Sequence, residues 1–171
     1  MVNRLLAILI LGFMSLHLNA QSQVENMLRD ANTYNQAYLD KDFETFTKMT
    51  VPSIVDLAGG DEVMTKISKE QYKTMVSGGM KFVSIIPEKP SKIMLGGEDL
   101  HAIMPQRVVI KLDSEEYVKT SYFLASSNDE GKTWTFVDLE PYDTESIKIF
   151  VPSFSGDLEI PAVEYAEKIN K

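Results

Sequence analysis

The sequence contains no cysteine, and it has only two histidines, His17 and His101, in 171 residues. Without thiols the chain cannot form disulfides, cysteine nucleophiles, iron–sulfur clusters or zinc sites built on cysteine. The two histidines stand too far apart to suggest a ligand pair, and the acidic residues lack the spacing of a calcium-binding loop. We therefore expect no metal ion and no other cofactor.

Basic residues are also few, with 17 Lys and Arg against 25 Asp and Glu and a formal net charge of −8. Nucleic acids and anionic membranes attract proteins through clustered Lys and Arg. The acidic balance therefore argues against both as partners. Apolar residues make up 44% of the chain and charged residues 25%, which is typical of a globular domain and excludes a disordered chain.

The first twenty residues have the pattern of a cleaved signal peptide. Arg4 precedes an apolar run over 5–18, and the small residue Ala20 stands before the polar Gln21. A run of this length is too short to cross a bilayer, which disfavours a membrane anchor. We expect residues 1–20 to be removed and residues 21–171 to form one domain. The domain would be exported, periplasmic or secreted, and free of the membrane after cleavage.

Helices come first in the mature chain and strands follow. Three- and four-residue apolar spacing predicts helices over 23–40, after Asp42, after Pro52 and over 61–77. A change to two-residue spacing after Gly79 predicts strands over 80–86, 93–95, 100–112, 117–125 and 133–139. Pro105 predicts an edge position or a bulge in the third of these, since proline cannot donate to a sheet. A short helix is predicted at 145–150. This order indicates an α+β fold with an antiparallel sheet.

The stretch from Tyr34 to Gly60, YNQAYLDKDFETFTKMTVPSIVDLAGG, consists of a helix, a break and short helices. It resembles the nuclear transport factor-like superfamily, including small exported bacterial proteins with no assigned activity. The resemblance implies a curved sheet that wraps a long N-terminal helix into a cone. That scaffold hosts enzymes, carriers and interaction modules, so it implies no single function.

Residues 127–134, SNDEGKTW, match the pattern Ser-x-Asp-x-Gly-x-Thr-Trp. They resemble the Asp-box turn of sialidases and other propellers. The pattern predicts that Asp129 accepts turn N–H groups, that Gly131 takes a positive φ and that Trp134 covers the turn. A single copy gives no support for glycosidase activity.

Enzymes of the resembled superfamily use a pocket Asp, Tyr or His under the sheet, and this implies a set of candidate residues here. We expect Tyr34, Tyr38, Tyr122 and Asp138 to reach a common cavity. The ligand-binding candidates are Tyr34, Tyr38, His101, Tyr122 and Asp138. The alternative is that the tyrosines are core residues with hydroxyls at a wet rim and that His101 is a partly exposed strand residue.

The sequence therefore favours an exported, non-catalytic domain that binds a small apolar or amphipathic ligand or a protein partner. One alternative is an isomerase or hydratase in which Asp138 is the base and a tyrosine donates to an oxyanion. Another alternative is a pure dimerisation or interaction module, and a homodimer is a possible assembly. The residues do not name the ligand.

Overall fold

The computed structural model describes residues 2–140, 142–154 and 156–169, with side chains from Ala20 onward. The side chains of the predicted signal segment, apart from Ala20, lie outside the described residues. The helices are α1 (Val2–Asp40), α2 (Phe43–Lys48), α3 (Pro52–Ala58), α4 (Asp61–Ser77) and α5 (Thr144–Phe150). The strands are β1 (Met80–Pro87), β2 (Met94–Gly96), β3 (Asp99–Leu112), β4 (Glu115–Ser127), β5 (Thr135–Asp138) and β6 (Glu167–Lys168).

Local signals set the ends of the short helices. The Asp42 carboxylate accepts the backbone N–H of Thr45 at 3.1 Å and caps α2. Pro52 is the first residue of α3, where a missing N–H costs nothing. Gly59 ends α3 at φ +105°, a left-handed conformation that glycine adopts without strain. These three features follow the sequence prediction.

Antiparallel strands form one strongly curled, half-barrel sheet in the order β1-β3-β4-β5, with β2 on β3 and β6 on β4. The long β3–β4 hairpin forms the centre of the sheet, and its strands pair from Leu100↔Ser127 to Leu112↔Glu115. The helices pack against this sheet. The predicted α+β class is thus confirmed, and the curl is compatible with a cone-like shape.

Pro105 lies in an interior strand, so the predicted edge position is wrong. It pairs with Tyr122 of β4, while on the other side the β1 register ends at Gln106 and the β2 register begins at His101. The Pro105 carbonyl accepts the N–H of Glu88 at 2.8 Å, so the backbone polar groups of Pro105 point away from β4, toward the side of β1 and β2. The missing N–H therefore faces the gap between two neighbouring strands, where no ladder bond is lost.

The sheet has a hydrophobic core on each face because side chains alternate along each strand. On the face that α1 covers, here called the α1 face, Met104, Phe123 and Phe136 pack with Met27 and Tyr34. On the other face, here called the tail face, the buried residues are Ile103, Leu124, Val137 and Leu139, together with residues from α3, α5 and the segment 151–158. The two faces place the candidate residues in two separate environments.

Candidate functional site

Three of the five candidates lie together on the α1 face. Tyr34 and Tyr38 are one helical turn apart on α1, so both point in the same direction. Asp138 ends β5, two residues after Phe136 of the α1-face core, and pairs with Phe123 of β4. Alternation therefore turns the Asp138 side chain toward the two tyrosines.

Aromatic rings form the apolar wall beside Asp138. The Tyr34 ring stacks on Phe46 with centroids 4.3 Å apart and lies 5.3 Å from both Phe123 and Phe136. Offset and edge-on ring pairs of this kind hold one another in place. Tyr38 extends the wall outward, and its ring lies within 6.2 Å of the rings of Phe43, Phe46, Tyr72 and Phe82.

The Asp138 side chain is exposed to solvent, yet its surroundings desolvate it. Desolvation raises the pKa of the Asp138 carboxyl, and the Glu140 carboxylate adds to the rise. The backbone N–H of Glu140, which donates to Asp138 Oδ1 at 2.9 Å, and the Lys119 ammonium both act to lower it. We call the part of the α1 face that carries Tyr34, Tyr38 and Asp138 the Asp138 patch.

The Asp138 charge acts on both tyrosines. Burial raises the pKa of the Tyr34 hydroxyl well above its ordinary value, a hydrogen bond with Thr50 acts to lower it, and the Asp138 charge adds to the rise. Burial likewise raises the pKa of Tyr38 to about 12, with further contributions from Tyr72 and Asp138. Both phenols are therefore neutral hydrogen-bond donors at physiological pH.

A polar seam that the sequence reasoning missed lies on the same face. Asn35 Nδ2 donates to Gln106 Oε1 at 3.2 Å, and Gln106 Nε2 donates to Ser121 Oγ at 3.4 Å. All three residues are buried. Lys119, two residues before Ser121 on β4, forms an ion pair with Glu140. The signal that could have found the strand residues is their two-residue spacing from Phe123, once the β3–β4 register is known.

His101 lies on the tail face, away from the Asp138 patch. Its Nε2 is 3.2 Å from Ser153 Oγ, and Ser153 Oγ donates to Asp99 Oδ2 at 2.8 Å. The predicted partial exposure of His101 is wrong, since the residue is fully buried and its ring lies against Phe154. The covering segment is more than fifty residues away in the sequence, so no local pattern indicates it.

Tyr122 also lies on the tail face, one residue from Phe123 and therefore on the opposite side of β4. Its hydroxyl donates to Glu164 Oε1 at 3.0 Å. Nearby, a groove of about 500 Å³ separates β4 from the C-terminal segment. Charged groups of both signs line it, namely Glu88, Glu164 and Glu167 with Arg107 and Lys119. The structure thus brings together Tyr34, Tyr38 and Asp138, and it separates His101 and Tyr122 from them. The binding roles of all five stay predictions.

The turn at residues 127–134 has the local geometry that its pattern predicts. Asp129 Oδ1 accepts the N–H groups of Lys132 and Thr133 at 3.0 Å each, and Oδ2 accepts the Thr133 hydroxyl at 2.8 Å. Gly131 has φ +84°, and Trp134 is 2% exposed with its indole N–H donating to the Gly131 carbonyl. Desolvation acts to raise the pKa of Asp129, but these bonds together with one from the Ser127 hydroxyl outweigh it and lower the pKa to about 2.

The same turn docks on α1, which the sequence does not indicate. Gln23 and Asn26 donate their side-chain amides to the carbonyls of Glu130 and Gly131, both at 3.0 Å. Asp30 Oδ2 accepts the backbone N–H of Trp134 at 3.0 Å. The turn therefore fixes the start of the folded part of α1, and through it the position of Tyr34.

Comparison with known protein families, with curated proteins and with solved structures finds no match to this chain. Within the described ranges, no three His, Asp or Glu side chains lie close enough to hold a metal ion. No helix among the residues searched, those with described placement, is long and apolar enough to cross a membrane.

Proposed function

We propose that the protein is an exported, non-catalytic domain that binds a small apolar or amphipathic ligand at the Asp138 patch. The observation that carries this proposal is the Asp138 carboxylate itself. It is exposed, its pKa is raised, and it lies opposite Phe123 on the face that holds the aromatic rings. A titratable group with a perturbed pKa beside such a surface supports a functional position.

A structural role explains Asp138 less well than a binding role does. Within the described residues, Asp138 accepts one hydrogen bond, from the backbone N–H of Glu140 two residues away. A carboxylate in crowded surroundings destabilises the fold unless it is paired. Lys119, the cation that acts on it, is engaged by Glu140. A residue that costs stability in the folded state is retained more readily when it serves binding or catalysis.

Native mass spectrometry of the protein purified from its own host tests this proposal directly. We expect a co-purified small molecule at one copy per chain, and its loss in a Tyr38→Ala, Asp138→Asn double variant. The same measurement reports whether the chain is a monomer or a homodimer. The binding proposal would be contradicted if the wild-type protein carries no small molecule and if no added amphiphile shifts the NMR signals of Tyr38 or Asp138.

An isomerase or hydratase is the second candidate, because the raised pKa of Asp138 suits a general base. Tyr38 is half-buried on the same face, and its pKa of about 12 keeps the hydroxyl protonated at physiological pH, as an oxyanion donor must be. Proton exchange separates this candidate from simple binding. An enzyme of this kind would exchange the α-hydrogens of a bound ketone in D₂O, and Asp138→Asn would stop the exchange.

Export is part of the proposal, and the contacts of α1 support cleavage after Ala20. Gln23, Asn26 and Asp30 of α1 make hydrogen bonds to the turn at 127–134, and all three follow Ala20. Cleavage before Gln21 would leave these bonds intact. Mass analysis of the exported protein should give an N-terminus near Gln21, whereas an intact Met1 species in the membrane fraction would overturn this part.

Kinship with the nuclear transport factor-like superfamily belongs to the proposal as well. The order of helices before strands and the strongly curled sheet support it. An experimental structure that superposes on that superfamily over the sheet and α1 would test it.

A further inference from the structure

The groove between β4 and the C-terminal segment 163–167, here called the tail groove, has a volume of about 500 Å³. Cavities of this size are in the range that binds small molecules. Val118 and Thr120 of β4 line it, and they point to the same side of the strand as Tyr122 of the tail-face core. The tail groove therefore lies on the opposite side of the sheet from the Asp138 patch, and the proposed function does not use it.

The fold holds both walls of the tail groove in place. Arg107 belongs to β3, which at this residue is paired with β1 on one side and with β4 on the other. The opposite wall is attached at two points. The Tyr122 hydroxyl donates to Glu164 Oε1 at 3.0 Å, and Glu167 of β6 pairs with Val118. The groove is thus formed without a ligand, which reduces the ordering cost of binding one.

Charges of both signs in the tail groove are left without partners by the fold. Within the described ranges, the Arg107 guanidinium and the Glu88 and Glu167 carboxylates make no hydrogen bond and no ion pair. Lys119 also lines the groove, but its ammonium is bound to Glu140. Of the two cations, Arg107 is therefore the one that a ligand can engage.

The carboxylates reach the tail groove from two separate parts of the chain. Glu88 follows β1, whereas Glu164 and Glu167 lie on the C-terminal segment. Desolvation raises the pKa of the Tyr122 hydroxyl, and the bond to Glu164 and the charges of Glu164 and Glu88 add to the rise. Both carboxylates thus act on one hydroxyl, and a cation near it would be attracted by both of them.

Apolar side chains complete the lining of the tail groove. Tyr165 is 92% exposed and Val163 is 57% exposed, although both lie on the wall of a cavity. A bound apolar group would remove part of this surface from water, which favours binding. A tyrosine suits such a position because its ring is apolar while its hydroxyl can stay in water.

Going beyond the proposed function, we infer that the tail groove binds a small zwitterion, an amino acid or a short peptide with a free ammonium and a free carboxylate. The ligand carboxylate would accept two N–H groups of Arg107, since a guanidinium matches a carboxylate in this way. Its ammonium would lie near Glu88 and Glu164, and its apolar side chain would contact Tyr165. A simple anion would be repelled by the carboxylates, and a simple cation would leave Arg107 without a partner.

Four probes that share one aromatic side chain test this inference. They are free phenylalanine, the dipeptide alanyl-phenylalanine, its N-acetyl derivative without the ammonium, and its C-terminal amide without the carboxylate. Each is titrated into the ¹⁵N-labelled protein and followed by NMR and calorimetry. We expect the free dipeptide to shift the amides of Thr120 and Tyr165 at millimolar concentration. Each blocked derivative should bind at least about tenfold more weakly, because it loses a charged hydrogen bond.

Variants identify the groups responsible. Arg107→Gln should bind the free dipeptide no better than the wild type binds the amide. Lys111→Gln is the matched control, because Lys111 is a cation on the same face of β3, four residues further along, and does not line the groove. It should bind as the wild type does. Replacing Glu88, Glu164 and Glu167 together by glutamine should abolish the preference for a free ammonium. Unchanged Trp134 fluorescence would show that each variant has folded.

The outcomes separate the inference from the proposed function. The inference is wrong if both blocked derivatives bind as tightly as the free dipeptide, if Arg107→Gln leaves the affinity unchanged, or if no probe shifts a groove amide. Shifts confined to Tyr38 and Asp138 would also overturn it, and they would support the Asp138 patch instead. Free phenylalanine distinguishes the two sources of the zwitterion. Binding as tight as that of the dipeptide assigns an amino acid, whereas weaker binding assigns a peptide, and either result supports the inference.

Discussion

Two aspartates flank the short strand β5, and their environments are opposite. Asp129, in the turn before the strand, accepts two backbone N–H groups and two hydroxyls, from Ser127 and Thr133. Its pKa is lowered to about 2. Asp138, at the end of the strand, accepts one hydrogen bond within the described residues and has a raised pKa. The first carboxylate stabilises the fold that holds it, whereas the charged form of the second is disfavoured by its surroundings.

Removing Asp129 should produce the largest loss of stability in this comparison. Asp129→Ala leaves the N–H groups of Lys132 and Thr133 without an acceptor, at about 1–3 kcal/mol. For a domain of this size, that corresponds to a decrease of roughly 2–8 °C in Tm. Asp129→Asn should lose less, because its amide oxygen still accepts. Asp138→Ala, measured by the same thermal melt, should lose nothing. An equal loss in both alanine variants would show that the contrast is false.

Gly131→Ala tests the same turn through its backbone. A Cβ at this position would lie 2.5 Å from Gln23 Cγ, and the residue has φ +84°. The left-handed conformation alone costs about 1–2 kcal/mol for a residue other than glycine. We expect a loss above that value in chemical denaturation, because the steric contact adds to it. Adding Gln23→Ala removes Cγ but keeps Cβ at 3.1 Å, so it should recover most of the steric part of the loss and leave the conformational part. Complete recovery would mean that the backbone conformation carries no cost.

The difference between these aspartates also explains what the sequence could predict. All the partners of Asp129 lie within four residues of it, so a local pattern was sufficient. The same holds for the Asp42 cap and for the Pro52 and Gly59 ends of α3. The environment of Asp138 is assembled from α1, β4 and its own strand, which are far apart in the chain. The residue type of Asp138 suggested a site, but only the register of the sheet shows that Tyr122 lies on the opposite face.

The errors have the same origin. Pro105 was predicted to be at an edge because a sequence does not show where two neighbouring strands leave a gap. His101 was predicted to be partly exposed because the segment around Ser153 that buries it is distant. The two-residue strand β6 is too short to have a periodicity. Each error concerns a contact between distant parts of the chain.

The pH dependence of stability should have opposite signs for the two aspartates. Asp129 has a folded pKa of about 2, below its unfolded value of 3.8, so its contribution is full above pH 4 and is lost as the pH falls toward 2. Asp138 has a raised folded pKa, so its contribution is present below pH 3.8 and is lost as the pH rises through the folded value. At pH 7, Asp138→Asn should therefore be slightly more stable than the wild type. A destabilised Asp138→Asn at pH 7 would contradict this sign.

His101 should give a smaller dependence at higher pH. Burial lowers its pKa from 6.5, partly offset by the Asp99 charge and by Ser153, and Nδ1 has no partner among the described residues. Its contribution is full above pH 6.5 and is lost as the pH falls through the lowered value. His101→Gln keeps an N–H for Ser153 and should flatten the Tm profile between pH 7 and 5. An identical slope in both proteins would show that the imidazole is already solvated.

Salt should have the smallest effect, and it separates the two aspartates from the surface charge. With residues 1–20 removed, sixteen basic residues face twenty-five acidic ones, and from Asp138 onward three lysines face eight acids. Screening weakens repulsion among such exposed charges, so Tm at pH 7 should rise modestly between roughly 20 and 300 mM NaCl. The corresponding gain in the free energy of unfolding should be less than about 1 kcal/mol. The loss caused by Asp129→Ala should stay the same at both salt concentrations, because it comes from short hydrogen bonds and not from long-range charge. A flat or falling Tm in the wild type would show that the acidic residues are already compensated by their neighbours.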